Sequence, residues 1–432
     1  MDKGQSLLTP RFGPASGGVK DGRLKVLLCN KFYRPLGGPE TVVLDTVREL
    51  KALGHTPIPF SMEHPDNVES EYSAYFVSNI DYNTKQSRGG RLIREAVNLV
   101  YSREAKRNIQ RLIADTRPDI AHAHNIYHQL SPSILTALRG AGIPTVLTLH
   151  DSKLLCANML FLTHGRICEK CRGRRFHHAV LNKCVKDSIA SSLLCCVEES
   201  LHRWTAIYEK NVDLFLTPSH FLKDKLVQHG RLDANRIEVL PNYADTRTLV
   251  PSCEPGSFGL FIGRIEPLKG VMTLLKACSR IPDFEIRFAG KGPLLEEGER
   301  FCREHGLTKV KFVGFLGRDE LTGMLRECGF VVLPSECYEN CPMTVLEAHA
   351  SGKPVIASRI GGIPELVSHE SDGLLFEPGD AEALGAAMRR LIEDPDAAVE
   401  MGRKGRAKVE QSYSIDAYMK SLLAIYDRVM SR

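Results

Sequence analysis

The sequence has no long hydrophobic run, because no stretch of its 432 residues reaches the roughly 18 uncharged apolar residues of a membrane-spanning helix. The amino-terminal residues also lack the apolar core of a secretory signal. Neither sign of charge dominates, since 57 basic residues face 52 acidic ones and leave a net charge of +5. That mild balance argues against a dedicated nucleic-acid binder, and the average composition excludes a disordered or collagen-like chain. We therefore expect a globular cytoplasmic protein.

Short apolar strands alternate with helical patterns along the chain in two series. The first series runs from a strand at 24–30 to one at 214–217, and the second runs from 259–262 to 354–357. A stretch rich in proline and serine, 251–257, separates them. Alternation of this kind predicts parallel sheets with helices on both faces.

The expected fold is therefore α/β, with two Rossmann-like domains that face a central cleft. We place the first domain at 22–245, with a cysteine-rich insertion at 152–190, and the second at 257–412. The carboxyl-terminal helix, 413–432, is expected to pack back on the first domain. In such folds ligands bind at the carboxyl ends of the strands, so functional residues should lie in the loops that follow strands.

The most informative loop follows the predicted strand 330–333 and opens a helix. Glu339 lies in the loop, Pro342 suits the first helical position, and Glu347 lies in the helix. A helix N-terminus offers N–H groups and a positive dipole end to an anion such as phosphate. Carboxylates beside it can accept hydrogen bonds from sugar hydroxyls. Taken alone, the two glutamates also fit a helix-start acid and a solvated side chain.

A second loop, after the first strand of the second series, carries Arg264 and Lys269. An arginine can make a forked contact with phosphate oxygens, and a lysine adds a point charge. An ordinary charged surface loop is the alternative.

Two loops of the first series also follow strands. Gly37 and Gly38 lie in one of them, and glycine lets the backbone approach a ligand closely. His150, beside Asp151, ends a strand, so its side chain should project into the cleft, although a lone histidine is often structural. His124 would line the same cleft.

These motifs together resemble the retaining glycosyltransferases of family four (glycosyl transferases group 1), which have the GT-B fold. The resemblance rests on the Gly-Gly-x-Glu loop, the His150–Asp151 pair, the Arg-Lys loop and the Glu-x7-Glu spacing of Glu339 and Glu347. It extends over nearly the whole chain, with the motifs in the same order in both halves.

The resemblance implies a role for each matching position. Arg264 and Lys269 would bind the diphosphate of a nucleotide sugar and stabilise the departing charge. Glu347 would hold the ribose hydroxyls, and Glu339 would contact and position the transferred sugar. His150 would touch the sugar and help to place the acceptor. The remaining donor contacts would come from backbone in two loops: Gly37, Gly38, Asn340, Cys341, Pro342 and Met343.

The implied reaction transfers a sugar, with retention, from a UDP- or GDP-sugar to a hydroxyl of a saccharide or lipid-linked acceptor, in cell-surface polysaccharide or glycolipid synthesis. No catalytic metal is implied. The chain departs from the family in having 340–342 as Asn-Cys-Pro where a glycine is common, which leaves the donor sugar open. A GT-B epimerase or phosphorylase is the nearest alternative. A dehydrogenase is disfavoured because no G-x-G-x-x-G follows the first strand.

Four of the 13 cysteines, Cys156, Cys168, Cys171 and Cys184, follow the spacing C-x11-C-x2-C-x12-C in a basic, loop-like segment. Four thiolates with one C-x2-C pair suit a structural zinc site. Reduced thiols without metal and an iron–sulfur cluster stay open, and a redox pair is disfavoured. A zinc-containing nucleic-acid-binding protein is a remote alternative, given the charge balance.

A basic helical pattern at 88–111 could lie on an anionic membrane surface, which would place the protein at the inner face of the membrane. An amphipathic helix packed on its own domain is the alternative interpretation.

Overall fold

The structure, a computed structural model, describes residues 22–79, 98–252 and 254–432. Short apolar runs form its strands, and in β1 (Lys25–Cys29) every residue after the first is buried. The other strands are β2 (Thr56–Phe60), β3 (Ile120–Ala123), β4 (Thr145–Thr148), β5 (Leu162–Thr163), β6 (Arg166–Ile167), β7 (Leu214–Thr217), β8 (Ile237–Val239), β9 (Phe258–Ile262), β10 (Glu285–Ala289), β11 (Val310–Gly314), β12 (Phe330–Leu333), β13 (Val355–Ser358) and β14 (Gly373–Phe376).

Twelve of these strands form two parallel sheets, as predicted. The first sheet has the order β2-β1-β3-β4-β7-β8 and the second β11-β10-β9-β12-β13-β14, while β5 and β6 make a small antiparallel hairpin. In each sheet the strand order reverses at the first strand of the series, between β1 and β3 and between β9 and β12. Ligand sites of open α/β sheets form at such switch points.

Helices cover both faces of each sheet. They are α1 (Gly38–Ala52), α2 (Arg103–Thr116), α3 (Ser133–Gly140), α4 (His177–Leu181), α5 (Ile189–Thr205), α6 (Ile207–Asn211), α7 (His220–Gln228), α8 (Val271–Cys278), α9 (Leu295–Glu304), α10 (Arg318–Glu327), α11 (Met343–Ala350), α12 (Ile363–Leu366), α13 (Ala381–Glu393), α14 (Pro395–Ser412) and α15 (Ile415–Met430). Helix α15 packs on the first sheet, where Tyr418 and Tyr426 share a buried cluster with Val26 and Val146. The chain thus returns to its amino-terminal half.

The predicted basic helix 88–111 is not continuous. Residues 88–97 lie outside the described residues, and the helical pattern stops at 101–102. A new helix, α2, begins at Arg103 because the Ser102 side chain accepts a hydrogen bond from the Ala105 N–H and caps it. The apolar side of α2, including Ile109 and Leu112, is buried in the first core. Among the described residues no helix is long and apolar enough to cross a membrane.

Candidate functional site

A cavity of about 370 Å³ lies where the carboxyl ends of the two sheets face each other. Eight of the predicted site residues line it: Gly38, His150, Lys269, Glu339, Asn340, Cys341, Pro342 and Met343. Gly37, Arg264 and Glu347 do not line it. A larger cavity, about 760 Å³, lies beside β2 and contains none of the predicted residues. The predicted residues therefore gather at the switch points of the two sheets and not at the larger cavity.

Two helix N-termini meet at this cavity. Helix α1 begins at Gly38 after an extended Gly37, and α11 begins at Met343, one residue after Pro342 rather than at it. A Cβ on Gly38 would lie only 3.5 Å from Met343 Cγ, so the two loops approach closely. The first N–H groups of each helix have no acceptor within the helix and carry its positive dipole end. The arrangement suits an anion held between the two halves.

Lys269 supplies positive charge beside these helix ends. Its Nζ lies 2.5 Å from Glu339 Oε1, and Ser335 Oγ donates to the same oxygen at 2.8 Å. Burial would lower the pKa of Lys269, but the Glu339 carboxylate raises it above its ordinary value. Among the described residues that line the cavity, Lys269 is therefore the permanent cation.

Gly270 fixes the position of this lysine. Its φ is +66°, and a Cβ there would lie 1.8 Å from the Pro334 carbonyl oxygen. The Glu336 N–H also donates to the Leu268 carbonyl at 2.9 Å. The lysine turn is thereby packed against the end of β12, which carries the Glu339 loop.

Arg264 and Glu347 lie at the edge of the arrangement. Arg264 follows Gly263, which lines the cavity, but its side chain is 75% exposed and pairs with Glu266 at 3.0 Å. It must turn inward to reach a ligand. Glu347 is half-buried on α11, and burial raises its pKa while Arg318 opposes the rise. Its contact with a ribose stays a prediction.

Three histidines form a row that begins at the cavity wall with the half-buried His150 and continues behind it with the fully buried His124 and His122. His150 Nε2 lies 3.0 Å from His124 Nδ1, and the His124 ring lies 4.1 Å from that of His122. Burial lowers the pKa of His150 to about 4 and that of His122 to about 3, and it also lowers the pKa of His124. At neutral pH His150 is therefore an uncharged hydrogen-bonding group. Asn340 Nδ2 donates to its carbonyl at 2.8 Å and joins the two halves.

Because the pKa values of these histidines are lowered, we predict that the free energy of unfolding falls in acid. The unfolded state takes up their protons below its ordinary histidine pKa of about 6.5, whereas the folded state does not until about pH 4. Carboxyl groups whose pKa burial raises oppose the trend, and among them Glu198 has its pKa raised to about 7. We expect the free energy of unfolding to drop by about 2 kcal/mol per pH unit between pH 6 and 5. Urea unfolding at pH 7.5 and 5.5 tests this, and equal values would contradict it.

Sequence reasoning missed the loop that supports Glu339 from behind. The Gly362 N–H donates to the Glu339 carbonyl at 2.7 Å. A Cβ on Gly361 would lie 2.3 Å from that oxygen, and one on Gly362 would lie 2.0 Å from the Asn340 carbonyl oxygen. The signal was present, because the Gly-Gly pair follows β13 at the same sheet edge.

Glu365 was missed as well, and it also joins the two halves. Its carboxylate accepts hydrogen bonds from the first N–H groups of α7, those of His220 at 2.8 Å and Phe221 at 2.7 Å. A carboxylate at a helix N-terminus is stabilising. The sequence shows no trace of this contact, because its partners are about 145 residues away along the chain.

Two of the four cysteines of the insertion lie at a small apolar cluster, where Cys171 is a member and Cys184 packs against it, while Cys156 belongs to the core of the first sheet. Burial and the neighbouring thiols of Cys156, Cys184 and Cys168 raise the pKa of Cys171 to about 12. The thiol of Cys156 donates to Asn158 Oδ1 at 3.0 Å, and that of Cys184 contacts a threonine hydroxyl at 3.6 Å. Among the described residues, two groups of potential ligands have all their ligand atoms within 4.8 Å, and neither includes these four cysteines. A zinc site requires the four sulfur atoms to come closer together, and it stays a prediction.

We predict that the reduced, desalted protein retains about one equivalent of zinc, since four thiolates complete a tetrahedral site. Plasma mass spectrometry measures the metal. Cys171→Ser should lose it, whereas Cys302→Ser, at a half-buried cysteine of α9, should retain it. Less than about half an equivalent in the wild type would contradict zinc binding, and iron with visible absorption would indicate a cluster instead.

The site lies within regions that match two family profiles: residues 36–248 match Glycosyltransferase Family 4, and residues 254–408 match Glycosyl transferases group 1. Over 408 residues the chain is 26% identical to an uncharacterized glycosyltransferase of Methanocaldococcus jannaschii, covering 94% of this chain and 99% of the relative. Sucrose-phosphate synthase from Thermosynechococcus elongatus has a similar structure, with a TM-score of 0.69, 21% identity and coverage of 95% and 100%. Anabaena HepE in complex with UDP gives a TM-score of 0.68, 18% identity and coverage of 94% and 100%.

Proposed function

The chain belongs to the group 1 glycosyltransferases of family four and has the GT-B fold, and from this premise we propose that it is a retaining enzyme that uses a UDP- or GDP-sugar. The acceptor is proposed to be a hydroxyl of a saccharide or of a lipid-linked saccharide. Anabaena HepE has also been crystallised in complex with UDP-glucose, which supports a nucleotide-sugar donor.

One observation carries the proposal: two helix N-termini and Lys269 converge on a single cavity between the halves. A diphosphate placed there would be neutralised by the chain's own groups. Glu339, held by Lys269 and Ser335, would face the sugar as a hydrogen-bond acceptor. Arg264, exposed in the described structure, would turn to the phosphates when the donor binds.

The proposed reaction forms the bond from the acceptor oxygen to the anomeric carbon on the face from which the diphosphate leaves. The bond from that carbon to the phosphate oxygen breaks, and the acceptor proton passes to the leaving phosphate. Lys269 and the N-terminus of α11 stabilise the charge that develops on the diphosphate. Glu339 positions the sugar, and the neutral His150 side chain forms a hydrogen bond with it. Retention follows from the shared face.

A donor panel tests the proposal. The purified chain is incubated with UDP-, GDP- and ADP-sugars, with and without simple saccharide acceptors, and nucleotide release is followed. We expect release from one UDP- or GDP-sugar, and a product with the donor's anomeric configuration by nuclear magnetic resonance. No response to any donor would overturn the proposal. Conversion of the nucleotide sugar without nucleotide release would indicate an epimerase.

A further inference from the structure

Helix α5 buries its polar face and exposes its apolar face, which is the opposite of an ordinary surface helix. Its buried face carries polar and charged side chains, namely Ser192, Glu198, Glu199 and His202, together with Cys195. Its outward face carries five apolar side chains that are 40 to 81% exposed, which we name the α5 stripe: Ile189, Leu193, Val197, Leu201 and Trp204. Steps of three and four residues place all five on one side of the helix.

The charged face is buried because two of its carboxylates pair with a lysine of the core. Lys153 is fully buried, and its Nζ lies 2.7 Å from Glu198 Oε2 and 3.1 Å from Glu199 Oε1. With that face committed to the lysine, the apolar face points outward. Single exposed apolar residues are ordinary, but a contiguous apolar stripe marks an interaction surface. Leu181, on the neighbouring helix α4, is another apolar residue that is 74% exposed.

A basic segment leads into the stripe along the chain. Residues 164–187, which lead into α5, contain seven lysines and arginines against two acidic residues. Lys183 and Lys186, directly before the helix, are exposed. A stripe that met its own copy across a twofold axis would bring these like charges together, which disfavours a second copy as the occupant. An anionic lipid surface instead attracts each basic side chain.

We propose that the α5 stripe is a membrane-binding face for a bilayer that contains anionic phospholipid. The helix lies in the plane of the interface, with its apolar side chains among the acyl chains and the exposed Lys183 at the headgroups. Trp204 occupies the interfacial depth that tryptophan favours. Through Glu198 the same helix is bonded to Lys153, three residues after His150 in the cavity wall. This surface acts without donor or acceptor, so it stands independently of the proposed reaction.

Trp204 is the only tryptophan of the chain, so its fluorescence reports directly on the stripe. We expect a blue shift and co-sedimentation when the full chain is mixed with phosphatidylglycerol–phosphatidylcholine vesicles at low salt. Binding to pure phosphatidylcholine should be weaker, and salt should weaken the binding to anionic vesicles. An unchanged spectrum with the anionic vesicles would overturn the proposal, whatever the outcome of the donor panel.

Paired variants identify the surface. Leu193→Gln and Leu201→Gln should each lower the vesicle partition coefficient by about tenfold or more, because each removes a buried apolar side chain from the bound state. Phe315→Gln, at a 73% exposed residue of the other half, should leave it unchanged. Circular dichroism confirms that the variants fold. Equal binding by the stripe and control variants, or a dimer without vesicles that needs the stripe, would overturn the assignment to a membrane.

Discussion

Replacing Lys269 by alanine is expected to lower the rate of sugar transfer by between about a hundredfold and a thousandfold, the usual effect of removing one group that stabilises a developing oxyanion. The loss has two causes. The diphosphate loses the permanent cation of the cavity, and Glu339 loses the ammonium group that contacts its carboxylate at 2.5 Å. Arg264 must first leave Glu266 to reach the phosphates, so we expect it to replace only part of the lost positive charge.

The measurement is the turnover number for nucleotide release with the donor found in the panel, together with the thermal unfolding midpoint. Lys276→Ala is the matched control, because Lys276 is an exposed lysine of the adjoining helix α8. Its rate should equal that of the wild type. A Lys269→Ala rate within about threefold of the wild type would show that the cavity is not the diphosphate site.

Lys153→Met is expected to destabilise the protein by about 3 to 5 kcal/mol, the cost of removing one partner from a buried ion pair. Lys153, Glu198 and Glu199 are all at most 1% exposed, so water cannot replace the lost ammonium group. Burial raises the pKa of Glu198 to about 7 even with Lys153 beside it. Without the lysine, two carboxyl groups must share a buried site with no cation between them.

Urea unfolding measures the loss, and its pH dependence identifies the cause. A carboxyl group whose pKa is raised in the folded state stabilises below its unfolded pKa and loses that contribution as pH rises. The destabilisation should therefore be larger at pH 8 than at pH 5.5. Adding Glu198→Gln should recover part of the stability, and Lys51→Met, at an exposed lysine of α1, should have little effect. A loss under about 1 kcal/mol, or one independent of pH, would contradict the buried-pair account.

Position after a strand was the signal behind most of the candidate site residues. Lys269, Glu339 and His150 each follow a parallel strand, and the carboxyl ends of such strands face one cleft, so their convergence could be expected. Arg264 satisfies the same pattern but points outward. A strand end specifies where a backbone lies, whereas the side-chain direction depends on which charges are nearby.

The contacts that position the site could not be predicted from local pattern. Glu365 caps α7 over a separation of about 145 residues, and Gly362 supports the Glu339 loop from another strand end. The sequence also could not show which face of α5 is buried, because the spacing of its apolar and charged residues is the same in either case. The break before α2 depends on one serine hydroxyl.

By itself, the sequence indicated the family through the resemblance of its motifs. It also predicted the two series of parallel strands and the sheet edge that holds the candidate site residues, because hydrophobic period and strand-end position are local properties of the chain. Only the tertiary structure decided which charged side chains pair with each other and which helix face is exposed. It paired Lys269 with Glu339, buried Lys153 between two glutamates, and turned the apolar side of α5 outward. The physical reason is that burial and ion pairing depend on distances between residues far apart in the chain, which no local pattern contains.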